Sequence, residues 1–445
     1  MIFKSTHMPL FTLYGRIFAP PEFVKVVKGL ALPSPLKNYG LIVMLASAQR
    51  VRKKPLPNTV FWPDLSSKGS KVVPGKGEMK YPEIVIAKKT GYGEFCGILI
   101  PNPYPNHEPA HIGDLELWRY TIGEIHAAAK ARPVNRRLAK VFWRGACQNN
   151  EWQRQRHHSV NDQRALNSIG LAKGMSTFNI GDGACAGDFE SGNRARLLAA
   201  SLTVSDSKHF DVKCQILDPP QNFTCIKDKA YAAELTQASK DVLENSHTIE
   251  DEAWIDGTDY TKYKYLLNLP GKTTGSYSRN LNHLWSTGSV VLLWDEPIVE
   301  WYYPLLQTGV THLVVNRSTA AAVVDRLEAN PAEYKRLAAG AARIANYGMS
   351  AEGMANYLDH VLEAVRRHVR YDLVLDDRRA LLELLERKWS KKASGESGPG
   401  ACDRLVEFKV TSRTLRMKHP TGPAREVWDV VERRRNICET LRGMK

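Results

Sequence analysis

The sequence predicts an α/β fold with parallel sheets. Three observations carry that expectation. Residues 289–294 (SVVLLW) form a nearly continuous apolar run, the pattern of a strand buried on both faces of a parallel sheet. Residues 263–269 (YKYLLNL) and 311–315 (THLVV) are further short apolar runs. Stretches of helical composition lie between and after these runs, and strands alternating with helices build parallel sheets.

Taken in order, residues 1–57 are punctuated by Pro20, Pro21, Pro33, Pro35, Pro55 and Pro57 and read as an irregular segment. Residues 58–62 (NTVFW) read as a short buried strand stopped by Pro63, and 82–88 (PEIVIAK) as a second strand. The stretch 68–80, with four Lys and three Gly, and the proline-rich 101–109 are connections. Residues 115–131 have helical composition, ended by Arg132-Pro133. Residues 141–143 form a short strand that runs into Arg144-Gly145, 161–171 and 230–245 read as helices, and 178–192 as a glycine-containing loop. A helix is expected over about 276–287. Three helices close the region: 320–329; 330–346, with Asn330 as N-cap and Pro331 in its first position; and 350–370. Residues 390–401 (SKKASGESGPGA) have linker composition. The division expected is 1–57, 58–135, 136–372 and a basic extension at 373–445.

At 445 residues and 43% hydrophobic composition the chain is long enough for two or more packed units. Its net charge of +15 raises nucleic acid as a partner, but residues 366–445 hold 20 Lys and Arg against 12 Asp and Glu, so more than half of the surplus sits there. The body is only mildly basic, which suits an anionic small-molecule ligand. Seven cysteines include no CxxC pair, so a structural zinc site lacks support, and no metal ligand set is expected. Cys214 and Cys225 are spaced to bridge a short loop in an oxidising lumen. The apolar stretch 40–48 is far shorter than the ~20 residues a membrane span needs. No clear signal peptide opens the sequence, so either the protein is not secreted by the usual route or the true N-terminus is missing.

Residues 263–315 are the most informative. A buried strand ends at Leu269, a Gly/Ser/Thr-rich loop follows at 271–278, and a helix begins. That order presents backbone N–H groups to an anion. Arg279 falls in the first helical turn, where the helix dipole disfavours a cation unless an anion accompanies it. Leu281, Leu284 and Trp285 share one apolar face, and Gly288 suits the residue after the helix. By itself a glycine loop before a helix is equally a plain turn with a surface arginine.

The ordered blocks Tyr263–Lys264–Tyr265–Leu266, Ser278–Arg279, Gly288–Ser289–Val290–Val291 and Glu300–Trp301–Tyr302–Tyr303–Pro304–Leu305, followed by His312, resemble glycosyltransferase family 90. That group includes the Rumi-like protein O-glucosyltransferases and the capsule-associated xylosyltransferases. Val141 to Ala146 (VFWRGA) resembles the family's upstream Arg-Gly block, and the resemblance covers about residues 110–370. It implies two Rossmann-like domains facing a cleft (GT-B type), with 58–135 on the acceptor side and 136–372 binding the donor. It also implies a UDP-sugar donor, usually UDP-glucose or UDP-xylose, a protein or glycan acceptor, an inverting reaction without a cofactor or bound metal, and a lumenal compartment of the endoplasmic reticulum or Golgi. Its donor-binding positions fall on Arg144, Gly145, Arg154 or Arg156, and Ser276, Tyr277, Ser278 and Arg279. Ala146 stands where the family carries a serine, which removes one phosphate contact.

An inverting transfer needs a general base, commonly a carboxylate. The family's aspartate block has its nearest counterpart in residues 58–64 (NTVFWPD), where strict alignment puts Phe61 at the base position and Asp64 is the one carboxylate. Asp64, a different base, or a loss of activity are the alternatives. Glu300 lies in the segment that holds donor ribose hydroxyls in two-lobed transferases; the other reading is a helix cap beside the core rings of Trp301 and Tyr303. Glu296 follows a strand end and is a second donor-side candidate. His312 reads as a satisfied core histidine.

Overall fold

The computed structural model describes residues 9–20, 23, 33–65, 70–71, 83–89, 95–103, 113–146, 191–215, 228–245, 255–271, 281–296, 298–368, 375–390, 402, 405–415 and 425–444. The strands are β1 (Leu10–Leu13), β2 (Arg16–Ala19), β3 (Thr59–Asp64), β4 (Ser70–Lys71), β5 (Glu83–Val85), β6 (Ala87–Lys89), β7 (Phe95–Cys96) and β8 (Ile98–Leu99), then β9 (Leu138–Ala146), β10 (Phe210–Gln215), β11 (Tyr263–Asn268), β12 (Val290–Trp294), β13 (Ile298–Glu300) and β14 (Leu313–Val315), and last β15 (Val406–Leu415) and β16 (Arg425–Asn436). The helices are α1 (Pro33–Arg52), α2 (Leu115–Ala131), α3 (Ser191–Ser205), α4 (Lys229–Asn245), the short α5 (Leu281–Leu284), α6 (Ala320–Ala329), α7 (Pro331–Arg343), α8 (Ala351–His368), α9 (Arg378–Ser390) and α10 (Ile437–Gly443). The chain is mixed α/β with parallel sheet, as the sequence predicts, and divides into two compact units.

Unit 1 joins Met1–Val27 and Ala31–Tyr120 to Ser350–Lys445. Its seven-stranded sheet runs β16-β15-β2-β1-β3-β5-β8, antiparallel from β16 to β3 and parallel from β3 to β8. This sheet is mixed rather than the parallel sheet of a Rossmann-like half. The expected irregular segment 1–57 instead contains β1, β2 and α1. Tyr14 and Gly15, with φ of 51° and 75°, make the tight hairpin turn between β1 and β2. Pro33 and Pro35 fall in the first turn of α1, where a missing N–H is harmless, and Pro55 and Pro57 lie beyond its end. The prolines bound a helix rather than prevent one.

Two further expectations are corrected in this unit. Pro63 does not stop β3, which runs on to Asp64. Pairing with β1 involves Thr59 to Phe61, so Pro63 faces only β5, opposite Ile84, and one side of the ladder tolerates a residue with no N–H. Residues 373–445 are not a mere extension. β15 pairs with β2 through Val406↔Ala19 and Phe408↔Ile17. Leu381, Leu385, Ile437 and Leu441 share a core with Phe11, Phe18 and Trp62. A disulfide joins Cys402 to Cys438, and Asn436 caps α10 by accepting from the Glu439 N–H at 2.9 Å.

Unit 2 is built on Thr121–Met349. Its five strands are all parallel, in the order β10-β9-β11-β12-β14. Numbered along the chain this is 2-1-3-4-5, a doubly wound order. Val141, Trp143, Tyr265, Leu267, Val290 and Leu292 alternate onto one face and form a single core with residues of α3, α4, α6 and α7. The alternate residues pack on the other side, where Phe142 meets Tyr260 edge-on at 5.2 Å and Tyr260 meets His283 at 5.0 Å. The closing helices follow the expected chemistry. Asn330 accepts from the Glu333 N–H at 3.2 Å and Pro331 opens α7. Gly340 sits in mid-helix because a Cβ there would lie 1.9 Å from the Val310 carbonyl oxygen.

Candidate functional site

In a doubly wound sheet a crevice opens at the carboxyl ends of the strands where the strand order reverses. Here the reversal lies between β9 and β11. The elements around that edge are the end of β9 (Arg144, Gly145), the end of β11 (Asn268 to Gly271), the turn after β12 (Asp295, Glu296), the turn after β14 (Asn316, Arg317) and the N-terminal turns of α3 and α4. The helix starts turn the positive ends of their dipoles to this edge, and in α4 the Tyr231 N–H is capped by Asp228 Oδ1 at 3.1 Å.

Arg196 in α3 ties the two central strands together. It is buried, its Nε donates to the Pro270 carbonyl at 2.8 Å, and its guanidinium lies 5.3 Å from the Trp143 ring centre. Trp143 in turn folds over Gly145, where a Cβ would approach the indole to 2.6 Å. Gly145 therefore answers to packing of the strand end as well as to any ligand.

Arg144 does not project past the edge. Its guanidinium folds back over the Phe142 ring, 4.5 Å from its centre, and binds Asp211. Nη2 donates to Asp211 Oδ1 at 2.6 Å, while Nη1 donates to the carbonyls of Asp211 at 2.6 Å and Trp143 at 3.0 Å. The Tyr263 hydroxyl donates to the other Asp211 oxygen at 2.7 Å, and its ring stacks on Phe142 at 3.9 Å. This charge-assisted cluster holds β9, β10 and β11 in register. Arg144, expected at the donor, is engaged within the sheet in this structure.

Glu296 is half-buried two residues beyond β12 and shares its surroundings with Tyr231, Glu234 and Arg194. The Tyr231 hydroxyl is pushed up by burial and by Glu296 and Glu234, against the opposing pull of Arg194. Glu234 is ion-paired with Arg317. Arg194, in the first turn of α3, makes no hydrogen bond or ion pair among the described residues, and its Nε is buried. A cation in that position is disfavoured by the helix dipole in the absence of an anion.

Asn268 ends β11 fully buried, with both its amide nitrogen and its amide oxygen lacking a hydrogen-bond partner. An unmet buried amide costs on the order of 1–3 kcal/mol, and this one sits at the strand reversal. Arg194, Tyr231 and Asn268 were not singled out by sequence. Arg194 alone carried a signal, a cation at a helix start, and the strand and helix that bring it beside Glu296 are distant in the chain.

Glu300 ends β13 and is buried. It does not cap the following 3₁₀ turn, which starts after Tyr302 without a side-chain cap. Trp301 and Tyr302 are the buried rings, not Tyr303. His312 is buried and pushed down to about 4 by that burial, and its ring nitrogens meet the hydroxyls of Thr311 at 3.0 Å and Thr308 at 3.3 Å, so it is a satisfied core histidine. Asp64 is the last residue of β3 in unit 1, opposite Val85. Arg154, Arg156, Ser276, Tyr277, Ser278, Arg279, Cys225, the helix expected at 161–171 and residues 178–190 of the loop expected at 178–192 lie outside the described residues, while residues 191–192 of that loop instead open α3.

Among the described residues no group of three or more His, Cys, Asp or Glu is placed to hold a metal ion, and no helix is long and apolar enough to cross a membrane. No family model matches the chain, and no curated protein matches it.

Proposed function

We propose that the protein is a glycosyltransferase that moves a sugar, glucose or xylose by preference, from a UDP-sugar to a hydroxyl of a protein or glycan. One observation carries the reading. Three of the sequence blocks that resemble family 90, residues 141–146, 263–266 and 288–291, fall on β9, β11 and the start of β12, adjacent parallel strands of one doubly wound sheet, and the first two flank its strand reversal, where such sheets take ligands. With it come the inverting course, independence of metal, the GT-B type two-domain organisation and a lumenal compartment, each implied by the resemblance.

In this reading the donor diphosphate lies against helix N-termini, with Arg279 and Arg194 as its cations and Glu296 or Glu300 holding ribose hydroxyls. The acceptor oxygen attacks the anomeric carbon while a general base, commonly a carboxylate, takes its proton. The bond from that carbon to the diphosphate oxygen breaks, and UDP leaves with the electron pair. Preorganised N–H groups and arginines stabilise the charge that develops on the departing diphosphate.

A catalytically silent relative that binds a nucleotide or glycan is the second reading, favoured by Ala146 and by Phe61 at the base position. UDP release from a panel of UDP-sugars, with and without EDTA, separates the two. Release that survives EDTA and collapses in Arg279→Ala supports transfer. No release from any donor, with UDP binding unchanged in Arg279→Ala, defeats the donor-site assignment.

A further inference from the structure

The amino-terminal edge of the parallel sheet of unit 2 lies opposite the strand ends described above. Residues 125–146, which lead into it and through β9, hold six Lys and Arg and no Asp or Glu. Arg137 and Arg144 are buried, whereas Lys130 and Arg136 are exposed and Arg132 and Lys140 half-buried. The chain brings these last four together. Lys130 is in the last turn of α2 and Arg136 in the 3₁₀ turn Val134–Arg136. Arg137 fastens that stretch by donating to the carbonyls of Ala129 and Arg132. Arg132 reaches the turn before β11 by donating to the Thr261 hydroxyl at 2.8 Å. On the other side of β9, the Val141 N–H donates to the His209 carbonyl at 2.7 Å and so holds the turn before β10, which carries the exposed Lys208.

These five cations make no ion pair among the described residues. The acids of the adjoining turns are held by bonds of their own. Asp206 is bound by His209 at 2.6 Å, Asp259 by Lys262 at 2.6 Å, and Asp256 accepts from the Thr258 N–H at 2.8 Å.

Aliphatic side chains stand among the cations. Val134 is 37% exposed, Leu138, the first residue of β9, is 51% exposed, and Val204, near the end of α3 and shortly before Lys208, is 40% exposed. Exposed apolar side chains scattered singly are ordinary. Here three of the seven large ones among the described residues share one edge with the unpaired cations.

We infer that this edge docks on the surface of an anionic lipid bilayer. Lys and Arg meet the charged headgroups there, while aliphatic tips enter the boundary between headgroups and acyl chains. A single-stranded nucleic acid would call for aromatic rings between the cations, to stack on bases, and no exposed aromatic side chain lies at this edge among the described residues. Arg137 holds the 3₁₀ turn in place before contact, so little is lost to ordering. Docking by the amino-terminal edge leaves the carboxyl edge of the same sheet, with the candidate donor crevice, turned away from the bilayer.

Cosedimentation of the full-length protein with vesicles of phosphatidylcholine, alone or with an equal part of phosphatidylserine, tests the docking. Binding to the anionic vesicles and not to the neutral ones is expected. Arg136→Glu and Lys208→Glu each weaken it by about tenfold, since one attraction is lost and one repulsion gained. Lys409→Glu, an equal change of charge at an exposed position in unit 1, leaves it nearly unchanged. Leu138→Ser keeps every charge and weakens binding severalfold, and the thermal midpoints of all four variants match the wild type. Failure to bind anionic vesicles overturns the inference. So does binding that Lys409→Glu weakens as much as Arg136→Glu does, because net charge alone then drives it. Binding that the two charge reversals at the edge abolish but Leu138→Ser leaves intact also overturns it, and makes the patch a seat for an acidic polypeptide or a nucleic acid.

Discussion

Replacing Arg137 should unlock the junction between the end of α2 and the start of β12. This side chain is 7% exposed and makes four hydrogen bonds. Nε donates to the Arg132 carbonyl at 2.9 Å, Nη2 to the Ala129 carbonyl at 3.1 Å, and Nη1 to the Thr287 carbonyl at 2.9 Å and the Ser289 hydroxyl at 2.8 Å. The Ala129 carbonyl is one of the last of α2, accepts a long bond from the Arg132 N–H at 3.3 Å and lies at the negative end of the helix dipole. Gly288, at φ +68°, passes so close that a Cβ would lie 3.4 Å from Nη2. Burial pulls the guanidinium pKa down, so desolvation works against the bonds. Each bond to a charged donor contributes about 1.5–3 kcal/mol before that penalty. Arg137→Met removes all four and strands several acceptors, for a net loss of about 3–5 kcal/mol, a large part of the ~5–15 kcal/mol that holds a domain together. Arg137→Lys keeps the charge but not the fork, and should recover less than half. Urea unfolding read together with amide exchange in β9 and β12 measures the loss. A loss below ~1 kcal/mol in Arg137→Met would show that water satisfies those carbonyls equally well and refute the reasoning.

Three other outcomes are expected. Asn268→Leu should raise stability by about 1–2 kcal/mol, because an unmet buried amide is exchanged for apolar contact, while UDP binding falls; a destabilised protein would mean the amide is satisfied by an ordered water. The His209 pKa is raised by its hydrogen bond to Asp206 at 2.6 Å, with further help from Asp325 at 3.0 Å. A raised base stabilises fully below its unfolded value, about 6.5, and loses that contribution as pH climbs through the folded value. Stability curves across that window should slope down for the wild type and flatten in His209→Gln; parallel curves would remove the histidine as the cause. Reduction of Cys402–Cys438, which are 36 residues apart, should destabilise unit 1 by about 4 kcal/mol on the chain-entropy account; an unchanged thermal midpoint in dithiothreitol would contradict that account.

Local chemistry made some elements legible in the sequence. Arg132-Pro133 ends α2 where its composition does, and the Asn330-Pro331 pair opens α7 on the expected residues. The run at 289–294 reads as buried strand because both faces of β12 are covered. Partnerships across the chain were not legible. β2 pairs with β15 nearly the whole length of the protein away, so neither strand announces its neighbour, and Pro63 reads as a stop until β1 is seen to end its pairing at Phe61. At the candidate site the strand ends were readable from their motifs. The direction of Arg144 was not, because Asp211 and Tyr263 come from two other strands.

The pairing of β2 with β15 also sets an order of events during synthesis. Unit 2 is drawn almost wholly from one stretch, Thr121–Met349, whereas unit 1 needs segments from both ends of the chain. At roughly 5–20 residues per second a ribosome takes on the order of 20–80 s to travel from β2 to β15. Throughout that interval the outer edge of β2, with Ile17 and Phe18 on it, has no strand to pair with, and exposed edges of this kind invite pairing with other chains. The β2 edge therefore stays open to wrong pairing until after unit 2 is complete, and chaperone demand should track the N-terminal hairpin rather than the parallel sheet.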